Sequence, residues 1–167
     1  MSTLVVISDS SSLIHLSAIG RLSLLREFHG LVTIPPAVWH EVVDQGKGRE
    51  GAREVEAAHQ HGWIEVKTVQ NNNLVRLLKR ELDSGEAEVL ALAIESQASL
   101  VLLDEAEARR IAGTFGLKKT GVIGILIRAK LEGKIERLQT ELDNLRLKAG
   151  FWIDERLYRR ALSEVGE

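Results

Sequence analysis

The chain has no cysteine, so it can form neither a disulfide nor a thiolate metal site, and any metal must be held by oxygen or imidazole ligands. It also lacks a long apolar run. Its apolar runs, among them Leu4 to Ile7, Leu100 to Leu103 and Ile125 to Ile127, fall far short of the roughly 20 residues a bilayer span requires. The N-terminus carries no basic flank or extended apolar stretch of a secretory signal. These absences lead to the expectation of a soluble, cytoplasmic protein without membrane contact. A formal net charge of -2 gives no generally basic surface, so the totals do not predict tight non-specific binding to nucleic acid. Local basic groups remain at Arg76, Lys79 and Arg80, at Lys118 and Lys119, and at Arg156, Arg159 and Arg160, each read by itself as a solvated face. No G-x-S-x-G elbow and no P-loop is present, and the glycines of G121-V122-I123-G124 read as close helix packing.

What the 167 residues do contain is short β-rich runs alternating with longer helix-patterned segments. That alternation predicts an α/β fold, three α/β/α layers around a central parallel sheet of four to five strands. Strands are expected at Leu4 to Ser8, Leu31 to Ile34, Ile64 to Lys67, Leu100 to Leu103 and Leu117 to Lys119. Pro35 and Pro36 suit the first turn of a helix carrying Val38, Val42 and Val43. D83-S84-G85-E86 opens a helix with Val89, Leu90, Ala93 and Ile94 on one face, and residues 96–99 close it. Apolar positions run from Val122 to Leu131, Gly133 breaks the pattern, a second amphipathic helix extends through Leu145, and A149-G150-F151-W152-I153 precedes a last helix. One domain over 1–167 is the economical reading, with the helices from about 134 packing on it or extending it. Residues 46–51, G-K-G-R-E-G, are expected to be a flexible loop that packs no core.

Acids stand where this pattern leads one to expect apolar residues. In open parallel sheets, function collects beyond the carboxyl ends of strands at the point where the connection direction reverses. Asp9 ends the first strand, and Asp104, followed by Glu105, ends the strand of V101-L102-L103. Glu41 falls on the stripe of Val38 and Val42, and Glu86 begins the stripe of Val89, Leu90 and Ala93. Each acid also has a structural reading. Asp9 suits an N-cap ahead of Ser10, Ser11 and Ser12, Asp104 suits a cap of the helix that follows it, and Glu86 has capping-box spacing from Asp83. Glu41 also fits the outer edge of its stripe. Together they suggest a cluster. Four carboxylates about 6 Å apart in an effective dielectric near 20 repel by about 17 kcal/mol, which rivals the roughly 5–15 kcal/mol stability of a whole domain. Such a cluster must take up protons or bind a cation, and the hard ions Mg²⁺ and Mn²⁺ suit carboxylate oxygens. The histidines compete poorly. H40-E41-V42-V43-D44 has aspartate where a zinc helix needs its second histidine, and all five histidines are read as surface or packing residues.

With these residues in view the chain resembles the PIN domain, the metal-dependent nuclease fold of many prokaryotic toxin–antitoxin pairs. The likeness covers nearly the whole sequence through I7-S8-D9-S10-S11, I34-P35-P36-A37-V38-W39-H40-E41-V42, G85-E86-A87-E88-V89-L90-A91-L92-A93 and V101-L102-L103-D104-E105. G85-E86, T120-G121-V122-I123-G124 and G150-F151 make the chain most similar to a branch of nucleic-acid-binding PIN proteins. Glu86 stands where many PIN toxins carry aspartate, and Glu105 where that branch usually has a second aspartate. Both changes keep the charge and lengthen the reach by a methylene.

The resemblance implies a sheet ordered 3-2-1-4-5, with Asp9, Glu41, Glu86 and Asp104 around Mg²⁺ or Mn²⁺ and Glu105 as a further ligand candidate. It implies that Ser10 orients Asp9 or a water. It also implies hydrolysis of RNA phosphodiesters by an endoribonuclease, a homodimer, and an antitoxin protein as partner. The alternative function class keeps the fold without the catalysis, as an RNA- or protein-binding module.

Overall fold

The computed structural model describes residues 4–167, so the first three residues of the expected 1–167 domain lie outside the described residues. Five short strands form one parallel sheet: β1 (Val6–Ser8), β2 (Val32–Ile34), β3 (Ile64–Val66), β4 (Leu100–Leu102) and β5 (Lys119–Thr120). Their spatial order is β3-β2-β1-β4-β5, the expected one. Every residue of β1 and β2 is buried, as apolar strands covered on both faces require, whereas β3 at the edge exposes Glu65 and Val66. β5 starts two residues later than its apolar pattern suggests. Leu117 N–H is taken by Ala112 C=O at the end of the preceding helix, and only Lys119 and Thr120 remain to pair with β4.

Among the described residues, ten α-helices flank the sheet and give the three-layer arrangement. From the N-terminus they are α1 (Ser10–Ala18), α2 (Ser23–His29), α3 (Pro36–Trp39), α4 (Ala52–Gln60) and α5 (Asn72–Leu78). They continue with α6 (Ser84–Ser96), α7 (Ala106–Thr114), α8 (Val122–Leu131), α9 (Leu138–Lys148) and α10 (Glu155–Glu164). Pro36 opens α3 with Pro35 as its cap residue, as the missing proline N–H predicts. A π-helical turn, His40–Asp44, continues directly from α3; such widened turns are frequent at functional sites. Helix α6 ends after Ser96, where Gln97 adopts a left-handed conformation with φ 53°.

Residues 46–51 correct the sequence reading. Gly46 and Gly51 are buried, and Gly51, at φ 100°, lies against Ile14 and Val42, so this turn does contribute to packing. Only glycine holds that conformation without strain. Leu138, Leu142 and Leu145 of α9 and Tyr158 and Ala161 of α10 are buried in the same apolar cluster as Ile7, Leu13 and Leu102. Arg21 fastens this end further: its Nε and guanidinium N–H groups donate to Oε1 of Glu141 at 3.0 and 2.6 Å. Among the described residues, no helix is long and apolar enough to cross a membrane.

Candidate functional site

The sheet register decides which strand ends meet. Ser8 of β1 lies opposite Leu102 of β4, so the chain leaves both strands at the same level, one at Asp9 and the other through Leu103 to Asp104. The connection direction reverses between these two strands, because β2 lies on the other side of β1. Asp9 N–H donates to Leu102 C=O at 3.0 Å and fixes the start of the turn.

Asp9 is both a cap and a bridge. Its Oδ1 accepts from Ser12 N–H at 2.9 Å, making it the N-cap of α1, and its Oδ2 accepts from Asp104 N–H at 3.1 Å. The residue is only 4% exposed. Burial, with the nearby charge of Asp104 adding to it, pushes the Asp9 carboxyl up from 3.8 to about 6 against these hydrogen bonds.

Asp104 does not cap the helix that follows it. Glu105 occupies the N-cap position of α7 and makes no side-chain cap bond. Instead, Oδ1 of Asp104 accepts from Val122 N–H at 3.0 Å, at the start of α8, a helix reached only through the fold. Its Oδ2 accepts from Ser12 Oγ–H at 3.3 Å and lies 3.5 Å from His15 Nδ1. His15 is edge-on to the Phe151 ring, with centroids 4.8 Å apart. This histidine, taken from sequence as a surface or packing residue, is therefore part of the site. The signal for it was its spacing, since Ser12 and His15 are three apart on one helix face.

Glycines admit the carboxylates. A Cβ on Gly121 would fall 2.7 Å from Asp104 Oδ1, and a Cβ on Gly85 would overlap Oε1 of Glu41. Thus the glycine preceding Glu86 exists to let another acid approach α6, and Gly121 does the same for α8. Glu41 is carried by the π-helical turn between buried Val38 and Val42, and its Oε2 accepts from Ser10 Oγ–H at 2.7 Å. Ser10 accordingly orients Glu41, while Ser12 is the serine bonded to Asp9. Glu88 Oε1 accepts from Ala37 N–H at 3.2 Å and ties α3, ahead of Glu41, to α6.

Glu86 closes the capping box expected from its spacing: its N–H donates to Asp83 Oδ1 at 2.8 Å, and its Oε2 accepts from Asp83 N–H at 3.4 Å. Burial raises its pKa to about 7, and the charges of Asp83, Glu105 and Asp9 contribute. Asp9 joins Asp104, Glu41 is held by Ser10, and Glu86 is held by Asp83 while feeling Asp9 and Glu105. Among the described residues, no three acidic or histidine side chains gather closely enough to hold an ion as they stand. The donor set is nevertheless all oxygen and acidic, the chemistry that suits a hard divalent cation, and Asp9 and Glu86 are raised in pKa first by burial and then by neighbouring negative charge, the second of which such a cation would relieve.

A family model described as PIN domain matches residues 5–167. The chain belongs to the PIN domain family. Comparison with curated proteins gives no match. The PIN fold is a nuclease-type fold, and in this PIN domain the paired strand-end acids occupy its switch point.

Proposed function

We propose that this PIN domain is a metal-dependent endoribonuclease that hydrolyses RNA phosphodiester bonds, with Asp9, Glu41, Glu86 and Asp104 holding Mg²⁺ or Mn²⁺ and Glu105 as a further ligand. The observation that carries the reading is the Asp9–Asp104 pair at adjoining strand ends, where the buried Asp9 carboxyl is pushed up to about 6 by burial and by the nearby charge of Asp104. When bound, such a cation supplies neutralisation of the scissile phosphate and acidification of water. The chain's own part is positioning. Ser12 N–H and Asp104 N–H fix both oxygens of Asp9, Val122 N–H and Ser12 Oγ–H fix those of Asp104, and Ser10 Oγ–H fixes Glu41. Glu86, pushed up to about 7 by burial and neighbouring carboxylates, would give up its proton when a cation binds. In biological terms the protein acts in the cytoplasm as the toxin of a toxin–antitoxin pair, with an antitoxin as its partner.

The test is incubation of purified protein with an RNA pool in Mn²⁺ or Mg²⁺. Cleavage is expected, with loss in EDTA and in Asp9→Asn. Intact RNA at every metal concentration overturns the reading. One observation favours the second reading, a PIN-fold binding module: Glu86 and Glu41 are engaged by Asp83 and Ser10 in place of one another. Calorimetry separates the two, because a module without metal geometry gives no heat with Mn²⁺ at neutral pH.

A further inference from the structure

A cleft of about 620 Å³ begins at Asp104 and opens between α7, the start of α8 and the connection from α9 to α10. Its mouth is aromatic. Trp152 is 80% exposed, a large apolar ring with little packed on it, and Phe151 and the partly exposed Leu157 line the same side. Its other side is cationic, with Arg109 and Lys119 in the wall and Asp104 as the one acid of the lining. Arg109 is held in place by donating to Leu103 C=O at 2.9 Å, beside the carboxylates. Gly121 and Gly124 also line it, and the absence of their side chains leaves room for Asp104 and Thr120 to lie against α8. Phe151 also packs on His15, which reaches Asp104, so the aromatic wall and the acidic site share one set of contacts.

We propose that this cleft is a nucleobase subsite for single-stranded RNA, in which a base stacks on Trp152 and the adjoining phosphate meets Arg109 and Lys119. Aromatic stacking is tolerant of base identity and pairs naturally with cations that follow a phosphate backbone. With two cations against the single acid Asp104, the lining carries a surplus of positive charge, which a phosphate complements. The cleft volume lies in the range of small-ligand pockets, ample for one base. Because the cleft starts at Asp104, a strand seated in it leads onto the proposed nuclease centre. The subsite rests on that reading for the choice of RNA as ligand.

The experiment titrates a short oligouridylate into the wild-type chain in EDTA, where cleavage is suppressed, and follows tryptophan emission. Trp152 dominates the response, since Trp63 is buried and Trp39 is half-buried. Saturable quenching is expected. Read by the anisotropy of a dye-labelled oligouridylate, a signal independent of the protein's tryptophans, Trp152→Ala should weaken binding by roughly 10-fold or more, and Trp152→Phe should restore most of it. Lys119→Gln should lower the slope of log affinity against log salt by about 1. Equal affinity of Trp152→Ala and wild type overturns the subsite, as does emission that shifts with protein concentration in the absence of RNA, which assigns the face to a second copy of the chain. The two proposals fail separately: cleavage in Mn²⁺ without Trp152-dependent binding removes the subsite alone, and Trp152-dependent binding without cleavage removes the nuclease alone.

Discussion

The backbone N–H of Asp104 donates to Oδ2 of Asp9 at 3.1 Å, so the acid that ends β1 grips the turn that leaves β4. The same Asp9 side chain caps α1 through Ser12, and the Asp104 side chain caps α8 through Val122. Two carboxylates therefore lock two strands and two helices together, and they do so while repelling each other in a buried setting. Stability and chemistry are set against one another at these positions.

The first consequence is a pH dependence. A carboxyl whose folded pKa is raised binds its proton more tightly in the folded state, so its contribution to stability is complete below the unfolded value and is lost as pH rises through the folded one. For Asp9 the window runs from 3.8 to about 6, and Glu86 extends it to about 7. Protein treated with EDTA should therefore lose stability from these groups between about pH 4 and about pH 7, by on the order of 3 kcal/mol at most from Asp9. Urea unfolding of wild type and Asp9→Asn across that range checks it. The difference between the two should shrink toward low pH, and Mn²⁺ should reduce the wild-type decline.

Gly85→Ala separates activity from stability. The new Cβ meets the end of the Glu41 side chain, which can swing away at the loss of its Ser10 hydrogen bond, worth about 1 kcal/mol. Alanine in place of glycine within a helix returns up to about 1 kcal/mol. The melting temperature should thus move by only a few degrees, while RNA cleavage should fall about 10-fold or more because Glu41 has left its position. A variant with unchanged cleavage would remove Glu41 from the site.

Gly121→Ala should behave differently. Here the Cβ falls 2.7 Å from Asp104 Oδ1 and 3.3 Å from Leu103 C=O, and the carbonyl cannot swing aside as a side chain can. The backbone angles, φ -127° and ψ -173°, are ordinary, so the effect is crowding alone. A loss of about 1–3 kcal/mol is expected, read from the urea midpoint, with Asp104 displaced from Val122.

Glu141 provides a test remote from the site. It is 4% exposed, pairs with Arg21 through Oε1, and its Oε2 has no partner among the described residues. Arg21→Ala should cost about 3–5 kcal/mol because it leaves a buried charge unpaired. Replacing both residues with leucine should recover most of that loss, and a double-mutant cycle measures the coupling.

Much of this arrangement is legible in the residues. The apolar runs around Ile7, Thr33, Ile64 and Val101 did become parallel strands, Asp9 did become an N-cap, and D83-S84-G85-E86 did form its capping box. Helices α2 and α5 are less legible, since each is seven residues long, too short for apolar periodicity to stand out. The alternative reading of Asp104 as a cap of the helix that follows it does not hold, for a related reason. Local spacing favours the nearest helix, but the first N–H groups of α8 lie against Asp104 only because β4 and β5 are neighbours.

The sequence by itself determined the alternation of elements, the lack of any thiolate chemistry, and which acids stand where core residues belong, because these depend on residue type and on periods of two and 3.6 along the chain. Only the tertiary structure decided which donors each acid would meet. The register that sets Ser8 opposite Leu102 brings Asp9 to Asp104, two bare glycines let Asp104 and Glu41 reach helices distant in sequence, and His15 and Phe151 join the site from opposite ends of the chain. Hydrogen bonds and charge repulsion act over a few ångströms of space, and no spacing along the chain encodes that distance.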